Sequence, residues 1–225
     1  ESVMRGLTYD TCLLYLDDIV VGKTFGEQLL NLRKMFERLR QARLKLNPKK
    51  CHLFQKKVNY LGHVVGTNGV ATDPEKLQAV RGWPRPRDKQ ELRRFLGLCT
   101  YYRRFVAGYA NIAKPLTQLT EEKRQFQWTD EAESSFQSLK EALCTAPVLG
   151  YPIPGRKFTL DTDASNVGIG GVLSQEQDGQ ERMIAYFSRT LSKAERNYCV
   201  TRRELLAIVE ALKHFHKYLH GQEFH

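Results

Sequence analysis

The sequence predicts a mixed α+β protein of 225 residues, in which strands and helices occupy different parts of the chain. Apolar β-forming residues cluster near the N-terminus, at 12–21 and 58–65. The middle of the chain carries apolar positions at helical spacing. After Pro147 the composition returns to short alternating segments, followed by one amphipathic helix. These changes of pattern predict three regions: 1–72, 73–146 and 147–225.

Composition limits the classes of partner and compartment. The chain has 35 Lys and Arg against 25 Asp and Glu, a net charge of +10, and a pI near 9.4. This excess favours a polyanionic partner such as nucleic acid, although a solvated basic surface is the alternative. The five cysteines are scattered without a Cys-x-x-Cys pair, which predicts neither a disulfide framework nor a zinc site and favours a reducing, intracellular setting. We find no membrane-spanning run and no signal peptide, so no membrane partner is expected.

Residues 15–18 (YLDD) place two adjacent carboxylates inside an apolar run. The flanking β-formers predict a hairpin with a tight bend that exposes both carboxylates. A divalent cation would offset their mutual repulsion, which points to metal-assisted phosphoryl transfer. The alternative is a simple Asp-Asp turn between two buried strands.

Residues 24–46 predict an amphipathic helix that starts with a capping box formed by Thr24 and Glu27. Its apolar positions share one helical face: Leu29, Leu32, Phe36 and Leu39. Basic residues cover the other face, where they would either lie along phosphates or simply be solvated. Residues 58–65 then predict one strand, and Gly66 with Asn68 and Gly69 predicts a hairpin turn after it.

The middle region predicts four helices. Thr72 or Asp73 caps the first, which the segment at 83–86 (WPRP) ends. The other three are expected at 89–109, 112–119 and 132–143. In the longest, arginines alternate with tyrosines, a pattern that suits a nucleic-acid backbone and equally suits aromatic packing within a helical domain.

The C-terminal region predicts an antiparallel sheet and a helix. Strands are expected at 158–163, 167–173 and 183–187, with Asp161 and Asp163 on one face. Helix 201–219 places these residues on its core stripe: Leu205, Ile208, Leu212, Phe215 and Leu219. Thr201 and Glu204 fit a capping box, which gives Glu204 a purely structural alternative role.

These motifs together resemble a known family. Residues 15–18 (YLDD), 60–63 (YLGH), 92–98 (LRRFLGL), 101–105 (YYRRF) and 115–116 (PL) resemble the reverse transcriptase of Gypsy-type long-terminal-repeat retrotransposons. Residues 162–165 (TDAS) and 203–207 (RELLA), with the intervening Tyr186, Ser188, Glu195 and Tyr198, resemble the ribonuclease H domain that follows it in the Pol polyprotein. The resemblance covers essentially the whole chain, and the order and spacing of the blocks match.

The resemblance implies roles for particular residues. Asp17 and Asp18 match the paired aspartates that hold Mg²⁺ in the polymerase palm, and Asp163 and Glu204 match the first two ribonuclease H carboxylates. Two Mg²⁺ ions per complete site are implied, with Mn²⁺ as the alternative. The expected nucleic-acid contacts come from the primer-holding hairpin, the palm tyrosine and the arginines of the middle region: Leu61, Gly62, His63, Tyr15, Arg93, Arg94, Arg103 and Arg104.

The implied architecture is the C-terminal part of a palm, a helical thumb and connection, and an incomplete ribonuclease H-like domain. The expected partners are an RNA/DNA hybrid or template-primer, deoxynucleotide triphosphates, and the fingers, upstream palm and downstream ribonuclease H segments of the same polyprotein. Because other carboxylates of both sites are expected outside this chain, we expect negligible activity from residues 1–225 alone. A cytoplasmic retrotransposon particle is the expected location, with the nucleus as the alternative. Two other functions stay open: a domesticated non-catalytic nucleic-acid-binding protein and a helical protein-interaction module.

Overall fold

The computed structural model describes residues 2–8, 10–16, 18–22, 24–122 and 124–225. It contains both helices and antiparallel strands, which confirms the predicted α+β class. Two compact units divide the chain: the first comprises the described residues of 1–61 with 65–67, and the second comprises 62–64 and the described residues from 68 onward. None of the described helices has the length and apolar character needed to cross a membrane.

The first unit contains a hairpin and one long helix. Strand β1 (Cys12–Tyr15) pairs antiparallel with β2 (Asp18–Val21), and the register places Tyr15 opposite Asp18. Helix α1 (Phe25–Gln41) follows, with Thr24 as its N-cap. Its capping box is confirmed, since the Glu27 carboxylate accepts a hydrogen bond from the Thr24 N–H at 3.3 Å.

The inward face of α1 differs from the predicted one. Leu32 and Leu39 are buried as expected, and Met35 joins them beside Met4. Leu29 and Phe36 are exposed instead. The helix carries more apolar residues than one face can hold, so periodicity could not determine which of them point inward. The helix also ends at Gln41 rather than 46, shortly before the left-handed Arg43 (φ 55°).

The predicted single strand at 58–65 is wrong, because the structure has two strands there. Strand β3 (Lys57–Tyr60) and strand β4 (His63–Gly66) are separated by a turn at Leu61 and Gly62, whose φ angles are 48° and 66°. Two consecutive positive φ values define the tight hairpin turn that matches strand twist. Leucine rarely adopts this conformation, so its presence in an apolar run concealed the turn. Strand β5 (Gly69–Thr72) follows, and the sheet order is β3-β4-β5.

The helical part of the second unit has four α-helices among its described residues. They are α2 (Pro74–Arg81), α3 (Lys89–Tyr101), α4 (Tyr109–Leu119) and α5 (Asp130–Cys144). The predicted helix 89–109 is wrong in its second half: a 3-10 turn at Arg103–Phe105 and the left-handed Gly108 (φ 62°) separate α3 from α4. Fully buried Leu92, Phe95 and Phe136 form part of the core that holds these helices together.

The C-terminal part of the second unit is a sheet covered by one helix. Strands β6 (Phe158–Ala164), β7 (Gly168–Gln177) and β8 (Gln180–Thr190) pair antiparallel in chain order, as predicted. Residues 223–225 run parallel to the free edge of β6, where the Leu160 N–H donates to the carbonyl of His225 at 2.9 Å.

Helix α6 (Val200–Leu219) packs on this sheet through Ala207, Ala211, Phe215 and Leu219. The predicted stripe was correct for Phe215 and Leu219 and wrong for Leu205 and Ile208, which are 57% and 41% exposed. Small alanines allow the helix to approach the sheet closely, and a search for large apolar residues overlooks such positions.

Candidate functional site

The β1–β2 hairpin presents its end to solvent. Asp18 is exposed at the first position of β2, opposite the exposed Tyr15. Leu16 is 75% exposed with a left-handed φ of 49°. The other predicted carboxylate, Asp17, lies outside the described residues. The described part of this hairpin end is therefore open to solvent and not sealed in an apolar interior.

The turn between β3 and β4 leads into an aromatic cluster. The Tyr102 hydroxyl donates to the carbonyl of Gly62 at 2.5 Å, and the His63 ring lies 5.1 to 5.5 Å from the rings of Tyr101, Tyr102 and Phe105. Burial raises the pKa of Tyr102 to about 12, and the Asp73 carboxylate adds to the effect, so the phenol stays a hydrogen-bond donor at neutral pH. Leu61, before the glycine, is partly exposed.

The four predicted nucleic-acid-binding arginines lie in different surroundings. Arg93 donates to the carbonyl of Thr120 at 3.0 Å, and Arg103 donates to the carbonyl of Ser188 at 2.6 Å. Arg94 is exposed, and the guanidinium of Arg104 lies 5.6 Å from the centre of the Phe105 ring. Arg93 and Arg103 thus have intramolecular partners that sequence spacing could not indicate, because the accepting carbonyls lie 27 and 85 positions away.

Asp163 lies near the end of β6, opposite Gly170 of β7. Both Asp161 and Asp163 are exposed, as expected for alternate residues on one face of a strand. The turn that follows is closed by Ser165, whose hydroxyl accepts from the N–H groups of Val167 and Gly168 at 3.2 and 3.0 Å. This closed turn holds the end of the strand that carries Asp163.

Glu204 is half-buried near the start of α6. The predicted capping box is wrong, because Cys199 and not Thr201 is the N-cap, and Glu204 is therefore the fifth residue of the helix, two positions beyond the N3 site that a capping box uses. The neighbouring Arg203 donates to the carbonyl of Ser165 at 3.2 Å and to the side-chain oxygen of Asn166. This contact, which the sequence analysis missed, joins the first turn of the Glu204 helix to the turn after Asp163.

A second contact restrains the same helix. Arg189 of β8 donates from both terminal nitrogens to the two carboxylate oxygens of Glu195, each at 3.0 Å, and its Nε lies 3.5 Å from Glu210. The hydrogen bond from Arg189, with the N–H of Ser192, lowers the pKa of Glu195 to about 2. The family resemblance included Glu195 without giving it a role. In the structure its hydrogen bonds with Arg189 connect β8 to the segment that precedes α6.

The donor chemistry at these carboxylates suits a hard divalent cation, since Asp18, Asp163 and Glu204 all offer carboxylate oxygens. Among the residues that the structure describes, no group of three or more His, Cys, Asp or Glu is arranged to hold a metal ion. The residue types therefore suit such an ion, but the described residues do not by themselves form a complete ligand set.

Two family comparisons match separate parts of the chain. Residues 1–65 match the family described as reverse transcriptase (RNA-dependent DNA polymerase). Residues 128–225 match the RNase H-like domain found in reverse transcriptase.

Similar proteins come from retrotransposons. The Pol polyproteins of transposons opus and 297 of Drosophila melanogaster are 38% and 40% identical, covering 98% and 100% of this chain. The transposon Tf2-3 polyprotein of Schizosaccharomyces pombe is 33% identical over 91% of the chain. The chain spans only 23%, 21% and 16% of the lengths of these three relatives.

Solved structures agree with the same fold. The foamy viral protease-reverse transcriptase in complex with double-stranded DNA matches 99% of this chain with a TM-score of 0.84 at 26% identity, over 47% of that protein. The same viral protein in complex with an RNA/DNA hybrid gives a TM-score of 0.82, again over 99% of this chain and 30% of that one. The motifs, the fold and the comparisons agree, and the chain belongs to the reverse transcriptase and ribonuclease H-like region of the retrotransposon Pol polyproteins.

Proposed function

We propose that this region takes part in RNA-directed DNA synthesis and in removal of the RNA strand from the resulting hybrid. The observation that carries the proposal is the solvent-exposed end of the β1–β2 hairpin, where Asp18 is the last residue of the YLDD motif within the part of the chain that matches reverse transcriptases. Related structures bound to double-stranded DNA and to an RNA/DNA hybrid support a nucleic-acid partner. The complete reaction would use a template-primer, deoxynucleotide triphosphates and other segments of the Pol polyprotein.

Both families use divalent metal ions, and we propose Mg²⁺, with Mn²⁺ as a substitute. Asp17 and Asp18 would bind the ion at the polymerase centre, while Asp163 and Glu204 would do so at the ribonuclease H centre. When bound, the ions would activate the attacking oxygen and stabilise the leaving group of a phosphoryl transfer. The carboxylates would act as ligands and not as proton carriers, because an ionised carboxylate near a cation is held in its charged form.

The remaining proposed roles concern positioning. The Arg203 contact to Ser165 would keep the Glu204 helix beside the strand end that carries Asp163. The turn that contains Leu61, Gly62 and His63 would hold the primer, since the aromatic cluster beneath Gly62 and His63 makes its backbone rigid. Tyr15 and the arginines at 93, 94, 103 and 104 would contact the nucleic acid. Regions 1–72, 73–146 and 147–225 would correspond to palm, thumb with connection, and ribonuclease H-like domain, in an intracellular retrotransposon particle.

The test is binding of the 225-residue protein to a fluorescent RNA/DNA primer-template, measured with and without Mg²⁺. We expect Mg²⁺ to increase the affinity of the wild-type protein, and Asp17→Asn or Asp163→Asn to reduce that increase. Asp178→Asn is the matched control, because it makes the same substitution at an exposed aspartate of the β7–β8 turn. An Mg²⁺ effect that survives both Asp17→Asn and Asp163→Asn would contradict the proposal.

A further inference from the structure

A large groove lies in the helical part of the second unit, outside the elements that carry the proposed catalytic carboxylates. Its volume is about 1090 Å³, and its walls come from the end of α2, the WPRP segment, the start of α3 and the segment before α5. Six of its lining residues are arginine or aromatic: Trp83, Arg85, Arg87, Arg94, Phe126 and Trp128. We call this the arginine–tryptophan groove.

The aromatic wall is held in place by contacts behind it. The Trp128 indole N–H donates to Glu133 at 2.7 Å, and its ring meets the buried Phe136 edge to face. The Trp83 ring meets the buried Phe95 in the same way. Both indoles are half-buried, so each keeps part of its ring surface accessible. Because such an indole is already fixed in place, it can stack on a ligand with little further loss of side-chain conformational entropy.

The charges around the groove favour an anion. Arg85 lies over the Trp128 ring at 5.2 Å, and its Nε also forms an ion pair with the Glu133 carboxylate at 3.9 Å, so Arg87 and Arg94 are the main cationic groups that the groove offers to a ligand. The side chains of Arg87 and Arg94 are exposed, and neither guanidinium makes a hydrogen bond or ion pair within the part of the chain that the structure describes. The acidic lining residue, Glu91, accepts a hydrogen bond from the backbone N–H of Arg87 at 2.8 Å, and the three arginines of the lining outnumber it.

We propose that the arginine–tryptophan groove binds single-stranded nucleic acid. Guanidinium groups contact phosphates, and indole rings stack on bases, a combination that recognises unpaired strands without sequence preference. A duplex would offer phosphates only, because its base faces are covered by neighbouring pairs. That the strand is an unpaired part of a template-primer rests on the proposed function, whereas the groove itself shares no lining residue with the proposed metal-binding carboxylates.

The chain contains only two tryptophans, and both line the groove, so intrinsic fluorescence reports its occupancy directly. The test titrates the full 225-residue protein with oligothymidylate in EDTA, following tryptophan emission. We expect quenching by the single strand and little quenching by a duplex of equal length. An abasic oligonucleotide of the same length should bind about tenfold more weakly or worse, because it lacks bases to stack.

The variant that tests the charges is Arg87→Gln with Arg94→Gln. Two lost phosphate contacts should weaken binding and reduce the slope of log affinity against log salt by roughly 1.4. Arg182→Gln with Lys193→Gln is the matched control, since it removes two exposed charges elsewhere in the same unit. EDTA removes metal ions, so quenching by the single strand does not depend on the proposed metal sites. Asp17→Asn with Asp163→Asn should therefore leave the quenching unchanged. A failure of the groove proposal can thus be told apart from a failure of the proposed function.

Three outcomes would overturn the inference. The first is an absence of quenching by any single strand. The second is equal affinity for the abasic strand, which would reduce the groove to an anion site. The third is quenching by a proline-rich or acidic peptide but not by the oligonucleotide, which would assign the groove to a protein partner.

Discussion

Arg103 and Ser188 connect the helical part of the second unit to its C-terminal sheet. The Nη2 of Arg103 donates to the Ser188 carbonyl at 2.6 Å, and the Ser188 hydroxyl accepts from the backbone N–H of Ala110 at 2.9 Å. Ser188 is almost fully buried. A residue expected to contact nucleic acid therefore also joins two parts of one compact unit, and the two roles predict different consequences of mutation.

Replacing Arg103 by Met should lower the free energy of unfolding by about 1–2 kcal/mol, because a charge-assisted hydrogen bond is lost from a partly exposed site. Urea denaturation measures this loss. Arg182→Met, at an exposed position near the start of β8, is the control and should change stability by less than about 0.5 kcal/mol. If Arg103→Met instead weakens nucleic-acid binding and leaves stability unchanged, the structural role is refuted.

Glu195→Gln should destabilise the protein at neutral pH by about 1–3 kcal/mol, since it replaces a bidentate charged partner of Arg189. The folded-state pKa of Glu195, about 2, lies below the unfolded value of roughly 4.3. Its contribution is therefore present above the unfolded pKa and is lost as pH falls toward the folded one.

The measurement is unfolding free energy against pH for both proteins, and the difference between them should shrink from about pH 4.3 downward to pH 2. Glu176→Gln, on the exposed surface of β7, should show no such trend. If the difference in unfolding free energy between the wild-type protein and Glu195→Gln does not vary with pH, the lowered pKa of Glu195 is contradicted.

Gly69→Ala should destabilise the second unit by more than about 2 kcal/mol. Gly69 has a φ of 135°, and a Cβ there would overlap the carbonyl oxygen of Leu149, which accepts a hydrogen bond from the Val70 N–H at 2.8 Å. Gly97→Ala is the informative comparison, because that helical position is open and alanine should stabilise it by about 0.5–1 kcal/mol. Thermal denaturation should show a lower melting temperature for Gly69→Ala and a higher one for Gly97→Ala. Equal changes in melting temperature would refute the close approach of Gly69 to the Leu149 carbonyl.

Tyr102→Phe should cost about 0.5–1.5 kcal/mol, because it leaves the Gly62 carbonyl without its 2.5 Å donor. Tyr101→Phe should cost less, since the Tyr101 hydroxyl lies 3.4 Å from the His63 ring nitrogen and Tyr101 is 48% exposed. If the turn holds a primer, Tyr102→Phe should also weaken primer-template binding more than Tyr101→Phe does. Equal effects of the two substitutions on stability and binding would argue against a turn held by Tyr102.

Local sequence patterns determined most of the secondary structure. Capping residues and helical spacing located α1, α2 and α5, because hydrogen bonds and apolar periodicity within one segment are enough to specify a helix. Alternation located β6 to β8 in the same way. The errors at 58–65 and 89–109 share a cause: both segments contain left-handed residues, and a run of otherwise suitable side chains conceals a reversal of the backbone.

The sequence by itself determined the family, the α+β class and the carboxylates worth testing, because these depend on residue types at short, fixed spacings. Tertiary structure alone decided which faces of α1 and α6 are buried, which arginines have backbone partners, and that Arg85, Arg87 and Arg94 meet Trp83 and Trp128 in one groove. Most of those relationships involve residues tens of positions apart, such as Arg103 and Ser188. They depend on how whole elements pack, which no local pattern encodes.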